Sequence, residues 1–168
     1  GNSPVAADWF EVTNTKATAV DITGWKMDDN SGSPAAAVAL NGITSIAPGE
    51  SVIFIESATP ATVVPLFKST WFGANPPATL QVGTYTGSGV GLGTGGDQVN
   101  LYNNAGVGVL QASVSFGTSP TGPYRTFDNA AKLNSITPAI TLLSSVGVNG
   151  AFIAFNSNTE IGSPGRIV

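Results

Sequence analysis

Short runs in which apolar and polar side chains alternate, each closed by glycine, proline or asparagine, recur along this chain at intervals of about ten residues. Alternation sends successive side chains to opposite faces, so each run reads as a strand with one face for a core. In Asp8-Trp9-Phe10-Glu11-Val12-Thr13, Phe10 and Val12 share one face and Trp9 and Glu11 the other. Val20 and Ile22 oppose Asp21 and Thr23; Gly24 breaks the phase, and Trp25 and Met27 resume it. Residues 51–56 are apolar at every interior position, as a well-buried central strand requires. Residues 98–102 and 107–116 read as hairpin partners around Asn104-Ala105-Gly106, and residues 80–85 and 152–155 as further strands. Runs of this kind, spaced by turn chemistry, predict an all-β sandwich or barrel of about seven to ten strands.

The phase also assigns faces. Phe10, Val12, Trp25 and Met27 belong to the core, which leaves Trp9 outside with Glu11 and makes Trp25→Ala the costlier truncation of the two. Glu11, set among large apolar residues, is expected to bond a neighbouring backbone. Asn41-Gly42, between residues 37–40 and 43–46, carries a strong hairpin signal. One helix is expected over residues 62–71, capped by Thr62, with Pro65 in its first turn and Val64, Phe67 and Trp71 as its apolar stripe. Gly73 ends it. Residues 119–150 give no clear elements, and neither a repeat nor a linker divides the chain, so residues 1–168 read as one domain.

At 168 residues the chain can bury a core that needs no metal or disulfide. Its net charge of −4, with six scattered basic residues, argues against nucleic acid and anionic membrane surfaces as partners. No apolar run is long enough for membrane insertion as a helix. The absence of cysteine and histidine removes thiol catalysis, thiolate or imidazole metal sites and any triad built on an imidazole base. The chain opens on a strand without a basic-then-apolar leader, and so reads as an excised or processed piece of something longer.

Candidate sites are few. Gly91-Leu92-Gly93-Thr94-Gly95-Gly96 satisfies G-x-G-x-x-G, but the alternating residues 98–102 follow it where a dinucleotide site needs a helix. Asp28, Asp29 and Asn30 cluster hard oxygen donors and are the candidate ligands for Ca2+, although the spacing fails the EF-hand pattern; the other reading is a solvated turn. Among ten acidic residues, Glu11, Glu56, Asp97 and Glu160 are the obvious candidates for a hydrolytic pair of carboxylates. Trp9, Trp71, Tyr85, Tyr102 and Tyr124 could supply a stacking platform, recognisable as coplanar exposed rings.

The run from Asp8 to Asn14, then Val20-Asp21-Ile22-Thr23-Gly24-Trp25, resembles the opening of bacterial lamin-tail domains. Ala47-Pro48-Gly49-Glu50-Ser51-Val52 is similar to that family's turn into a central strand, and Phe67-Lys68 through Trp71 to its helix. Leu92 and Gly95-Gly96-Asp97-Gln98-Val99-Asn100-Leu101-Tyr102, with Asn104-Ala105-Gly106 and Ser115-Phe116, resemble its later hairpin, and Gly162-Ser163-Pro164-Gly165-Arg166 its close. The resemblance covers most of residues 8–117 and the last few residues. It implies an immunoglobulin-like antiparallel β-sandwich with one short helix in a crossover loop, and it brings no catalytic motif. It further implies a non-catalytic accessory or interaction module of an exported bacterial protein, secreted or at the cell surface. Its partner would be a protein or cell-surface component, and a catalytic domain could neighbour it in the parent chain. A carbohydrate- or surface-binding module and a weak calcium-binding domain of a secreted hydrolase are the alternatives.

Overall fold

A computed structural model describes residues 4–166. Among them twelve strands and one helix follow in the order β1 (Trp9–Thr13), β2 (Val20–Asp21), β3 (Lys26–Asp28), β4 (Val38–Ala39), β5 (Ser45–Ile46), β6 (Ser51–Glu56), α1 (Pro60–Phe72), β7 (Val82–Tyr85), β8 (Asp97–Tyr102), β9 (Leu110–Phe116), β10 (Tyr124–Arg125), β11 (Phe152–Ile153) and β12 (Glu160–Gly162). The count exceeds the expected range because several are two-residue strands, too short to show a period in sequence. One sheet runs β1-β6-β7 and a second β4-β3-β8-β9; the pair β2-β5 and the small sheet β10-β12-β11 complete the fold. Phe10, Val52, Phe54 and Tyr85 from the first sheet meet Met27 and Leu101 from the second, with Ile22 and Ile46 closing the side. This is the all-β sandwich that the alternation predicts.

The first sheet is buried on both faces. Val52 and Phe54 enter the inter-sheet core, whereas Ile53 and Ile55 join Val63, Phe67 and Trp71 of α1 in a second cluster. Trp9 belongs to that second face: its ring meets Phe67 at 5.3 Å and Trp71 at 5.8 Å, edge-on in both cases. The expectation that Trp9 lies outside is thus corrected, because α1 covers the face that the alternation assigned to the outside. Trp25 packs against the inter-sheet core but is only half-buried, while Met27 is fully buried as expected.

The helix is longer than expected and begins on Pro60, whose missing N–H falls where no intrahelical bond is made. Thr59, not Thr62, is its cap residue, and Pro65 lies inside the helix rather than in its first turn. Gly73 closes it at φ 62°, donating its N–H to the Ser69 carbonyl at 2.9 Å. As the crossover between β6 and β7, α1 makes those two strands parallel, within a fold whose other large-sheet pairings are antiparallel.

Asn41-Gly42 is not a hairpin. β4 pairs with β3 and β5 with β2, so the chain passes between sheets at this point. Asn41 instead exchanges two backbone bonds with Thr84, at 2.8 and 2.9 Å. The hairpin expected around residues 104–106 is present as β8-β9. Residues 119–166 fold back over the rest. Ile140 pairs with the outer edge of β9, and Phe152 and Ala154 pack onto α1 beside Trp71.

Candidate functional site

On β8 the alternation gives Val99 and Leu101 to the core and Gln98, Asn100 and Tyr102 to the outer face of the second sheet. Register sets Asn100 between Asp28 of β3 and Ser113 of β9. These side chains bind one another. The Ser113 hydroxyl donates to Asn100 Oδ1 at 2.7 Å, the Gln98 amide donates to the same oxygen at 2.7 Å, and Asn100 Nδ2 donates to the Asp29 carbonyl at 2.7 Å. A polar network satisfied in this way is rigid, and it fixes where its remaining donors and acceptors point.

Two loops wall this floor. The 29–34 loop stands on one side, and residues 134–136 on the other, where Asn134 Oδ1 accepts the Ser113 N–H at 2.9 Å and the Ile136 carbonyl accepts the Ser115 hydroxyl at 2.6 Å. Between them runs an open trough of about 410 Å³ with Tyr102 at its base. Leu110 and Ile136 stand exposed on its rim. Burial, helped by the nearby Asp28 carboxylate, raises the Tyr102 phenol above its ordinary pKa, so it stays a neutral hydrogen-bonding group. Amides, hydroxyls and a phenol bordered by apolar side chains can bind a ligand; none of them is an activated nucleophile.

The structure draws Asp28, Asp29 and Asn30 into the scaffold of this trough. Asp28 is fully buried; its carboxylate accepts the Ser31 hydroxyl on both oxygens, at 3.0 and 2.8 Å, and the Ser33 N–H at 2.6 Å. Asp29 Oδ1 accepts the Ser31 N–H at 2.8 Å, and the Asn30 N–H donates to Asp97 Oδ1 at 3.1 Å. The Asp28 carboxylate and Asp29 Oδ1 thus already accept donors within the loop, and among the described residues no three carboxylates converge as a metal cage.

Of the other carboxylates, Glu56 and Asp97 both act on the Tyr85 hydroxyl, and Glu11 lies apart from them. Glu11 stands opposite Ile53, on the helix-side face of the first sheet, whereas Glu56 shares the phase of Phe54 on the inter-sheet face, so these two cannot flank one bond. Glu11 accepts the Gly165 N–H at 3.1 Å, the backbone-bonding role expected of it. Asp97 accepts the N–H groups of Asn30, Gly93 and Gln98. Glu160 is buried in β12. The glycine-rich segment leads into β8, and two of its N–H groups, from Leu92 and Gly93, already serve the carboxylates of Asp8 and Asp97. A phosphate cradle would hold such donors free. Of the expected aromatic platform, Trp71, Tyr85 and Tyr102 are buried and Trp9 and Tyr124 partly so; among the described residues the one aromatic side chain that stands largely exposed is Phe155.

Sequence reading missed the trough. Gln98, Asn100 and Ser113 were visible as amides and a hydroxyl at alternate strand positions, a pattern that also describes an ordinary solvated face. Asn134 carried no signal, because a loop brings it there.

The family model described as Lamin Tail Domain matches residues 1–118. No curated protein and no solved structure matches the chain.

Proposed function

The chain belongs to the lamin tail domain family, and from that premise we propose that it is a non-catalytic interaction module of an exported bacterial protein. The observation that carries this reading is the trough on the outer face of the second sheet. It offers a pre-ordered set of hydrogen-bonding groups within an apolar rim, the composition of a recognition surface rather than of a reaction centre. The partner is a protein or another cell-surface component, and the parent chain carries the activity that the module positions. The whole chain acts as one unit, since Phe152 and Ala154 pack into the cluster around Trp71.

A carbohydrate partner is the second reading, favoured by the file of amide and hydroxyl groups along Gln98, Asn100 and Ser113. The test is sedimentation of the chain with isolated bacterial envelopes and with purified envelope polysaccharide. Retention that falls at least tenfold in Ile136→Asp and Leu110→Asp, both exposed rim positions, supports the trough as the binding face. Retention untouched by both changes overturns it, and turnover of a phosphate ester or glycoside by the isolated chain overturns the non-catalytic reading.

A further inference from the structure

One end of the sandwich concentrates acidic side chains, of which Asp97 also braces the 29–34 loop of the trough. Pairing of β1 with β6 reaches Trp9 and Ile55, and one step further the Glu56 N–H donates to the Asp8 carbonyl at 2.8 Å. Asp8 and Glu56 are therefore cross-strand neighbours, in phase with Phe10 and Phe54 on the inter-sheet face. Carboxylates so placed repel each other. Parallel pairing sets Tyr85 beside Glu56, and Asp97, in phase with Val99 and Leu101, approaches from the opposing sheet.

The glycine-rich loop closes over this end. Val90 is buried in the core, and the three residues after it rest on three carboxylates in turn. A Cβ on Gly91 would lie 3.6 Å from Glu56 Oε2; the Leu92 N–H donates to Asp8 Oδ2 at 3.2 Å, and the Gly93 N–H to Asp97 Oδ2. Beneath them lies Tyr85, with no exposed surface and a hydroxyl that makes no hydrogen bond. Glu56, Asp8 and Asp97 all act on that hydroxyl and, after burial itself, hold its proton in place. A buried hydroxyl facing repelling carboxylates calls for a shared cationic or water partner.

We propose that this end of the sandwich binds a calcium ion, with the carboxylates of Asp8 and Glu56 as ligands, the Tyr85 hydroxyl behind them and residues 91–93 as the cover. Every donor here is a hard oxygen, which suits calcium or magnesium over a softer metal. The donors sit on strand ends and a glycine-rich loop, and calcium's variable shell of six to eight oxygens accepts such uneven geometry better than magnesium's octahedron. Because no three carboxylates converge among the described residues, water and backbone carbonyls complete the shell. The ion would offset the Asp8–Glu56 repulsion and fasten the loop across both sheets.

The experiment is thermal melting of the full chain with chelator, with calcium and with magnesium, the ions at about 10 mM, ten times the weak end of the range for extracellular calcium modules. Calcium should raise the melting temperature by about 3–6 °C. The rise should vanish in Glu56→Gln and Asp8→Asn, which remove the repulsion and so should fold, and persist in Asp29→Asn. Terbium luminescence excited through tyrosine should follow the same pattern and weaken in Tyr85→Phe. The proposal is overturned by no calcium response in the unaltered chain, by an equal rise with magnesium, by a rise retained in Glu56→Gln and Asp8→Asn, or by one lost in Asp29→Asn. A melting temperature that answers to pH but not to calcium would show that the pair shares a proton instead.

Discussion

The Gly165 N–H donates to the Glu11 carboxylate at 3.1 Å, fastening the last described turn to the first strand. Burial between the sheet and that turn pushes the Glu11 pKa up to about 7, against the opposing pull of its Ser51 and Gly165 bonds. In the unfolded chain the group titrates near 4.5. Between these values the folded chain keeps a proton that the unfolded chain releases. The resulting stability is fully present below the lower value and is lost as pH rises through the upper one. Denaturant midpoints should therefore fall between about pH 5 and pH 8, and Glu11→Gln should flatten that slope while exceeding the parent near pH 8 by about 1–3 kcal/mol. An unchanged slope in the variant would assign the pH dependence to another group.

What was legible in the sequence is what depends on neighbours along the chain. The alternation of residues 8–13 and 98–102 and the unbroken apolar run of 51–56 announce their strands, because a period needs four or more residues to show. Asn41-Gly42 misled because its flanks pair in different sheets, and long-range pairing outweighs a turn preference. Residues 119–150 stayed unread, and of the later strands only the one at 152–155 was legible, for a related reason. Their strands are two or three residues long and are held by distant partners: Tyr124 beside Glu160, Phe152 against Trp71. The trough combines both cases, with a floor written into β8 and β9 and a wall supplied by a loop that local pattern does not place.

Trp9 tests the two-faced sheet. Its ring is wedged against Phe67 and Trp71, so Trp9→Ala leaves a cavity under α1 and exposes both neighbours. Trp25 is also half-buried and lies at the margin of the other core. Trp9→Ala should cost at least as much as Trp25→Ala, about 2–4 kcal/mol, read from denaturant midpoints at constant slope. A Trp9→Ala change that costs under half as much as Trp25→Ala would mean that the helix does not cover this face in solution.

Gly83 is required by close approach rather than by backbone angle. A Cβ there would collide with the Asn41 carbonyl oxygen and stand 2.8 Å from Phe54 Cε1. Neither neighbour can retreat easily, since Asn41 is bonded twice to Thr84 and Phe54 has no exposed surface. Gly83→Ala should cost about 1–3 kcal/mol by overpacking. Gly95→Ala, with nothing within 4 Å of its added methyl, should stay within about 0.5 kcal/mol of the parent. Equal melting temperatures for the two variants would contradict the Asn41–Thr84 bridge.

The family match ends at residue 118, but the packing does not. Phe152 meets both Trp71 and Phe72 with ring centroids 5.7 Å apart, Ala154 joins the same cluster, and Arg166 lies over the Phe152 ring at 4.3 Å. At the far side Ile140 covers the edge of β9, donating to the Ser115 carbonyl at 2.8 Å and accepting the Gly117 N–H at 2.9 Å. A chain ending at residue 118 would expose Trp71, free Glu11 from Gly165 and leave β9 as an open edge. Each apolar side chain returned to water costs about 1.5–3 kcal/mol, so the sum approaches the whole stability of an ordinary domain. The shortened chain should melt far below the parent, bind a hydrophobic dye and associate through β9, seen by light scattering at rising concentration. If it melts with the parent and stays monomeric, residues 119–166 are an appendage and the 1–118 segment folds alone.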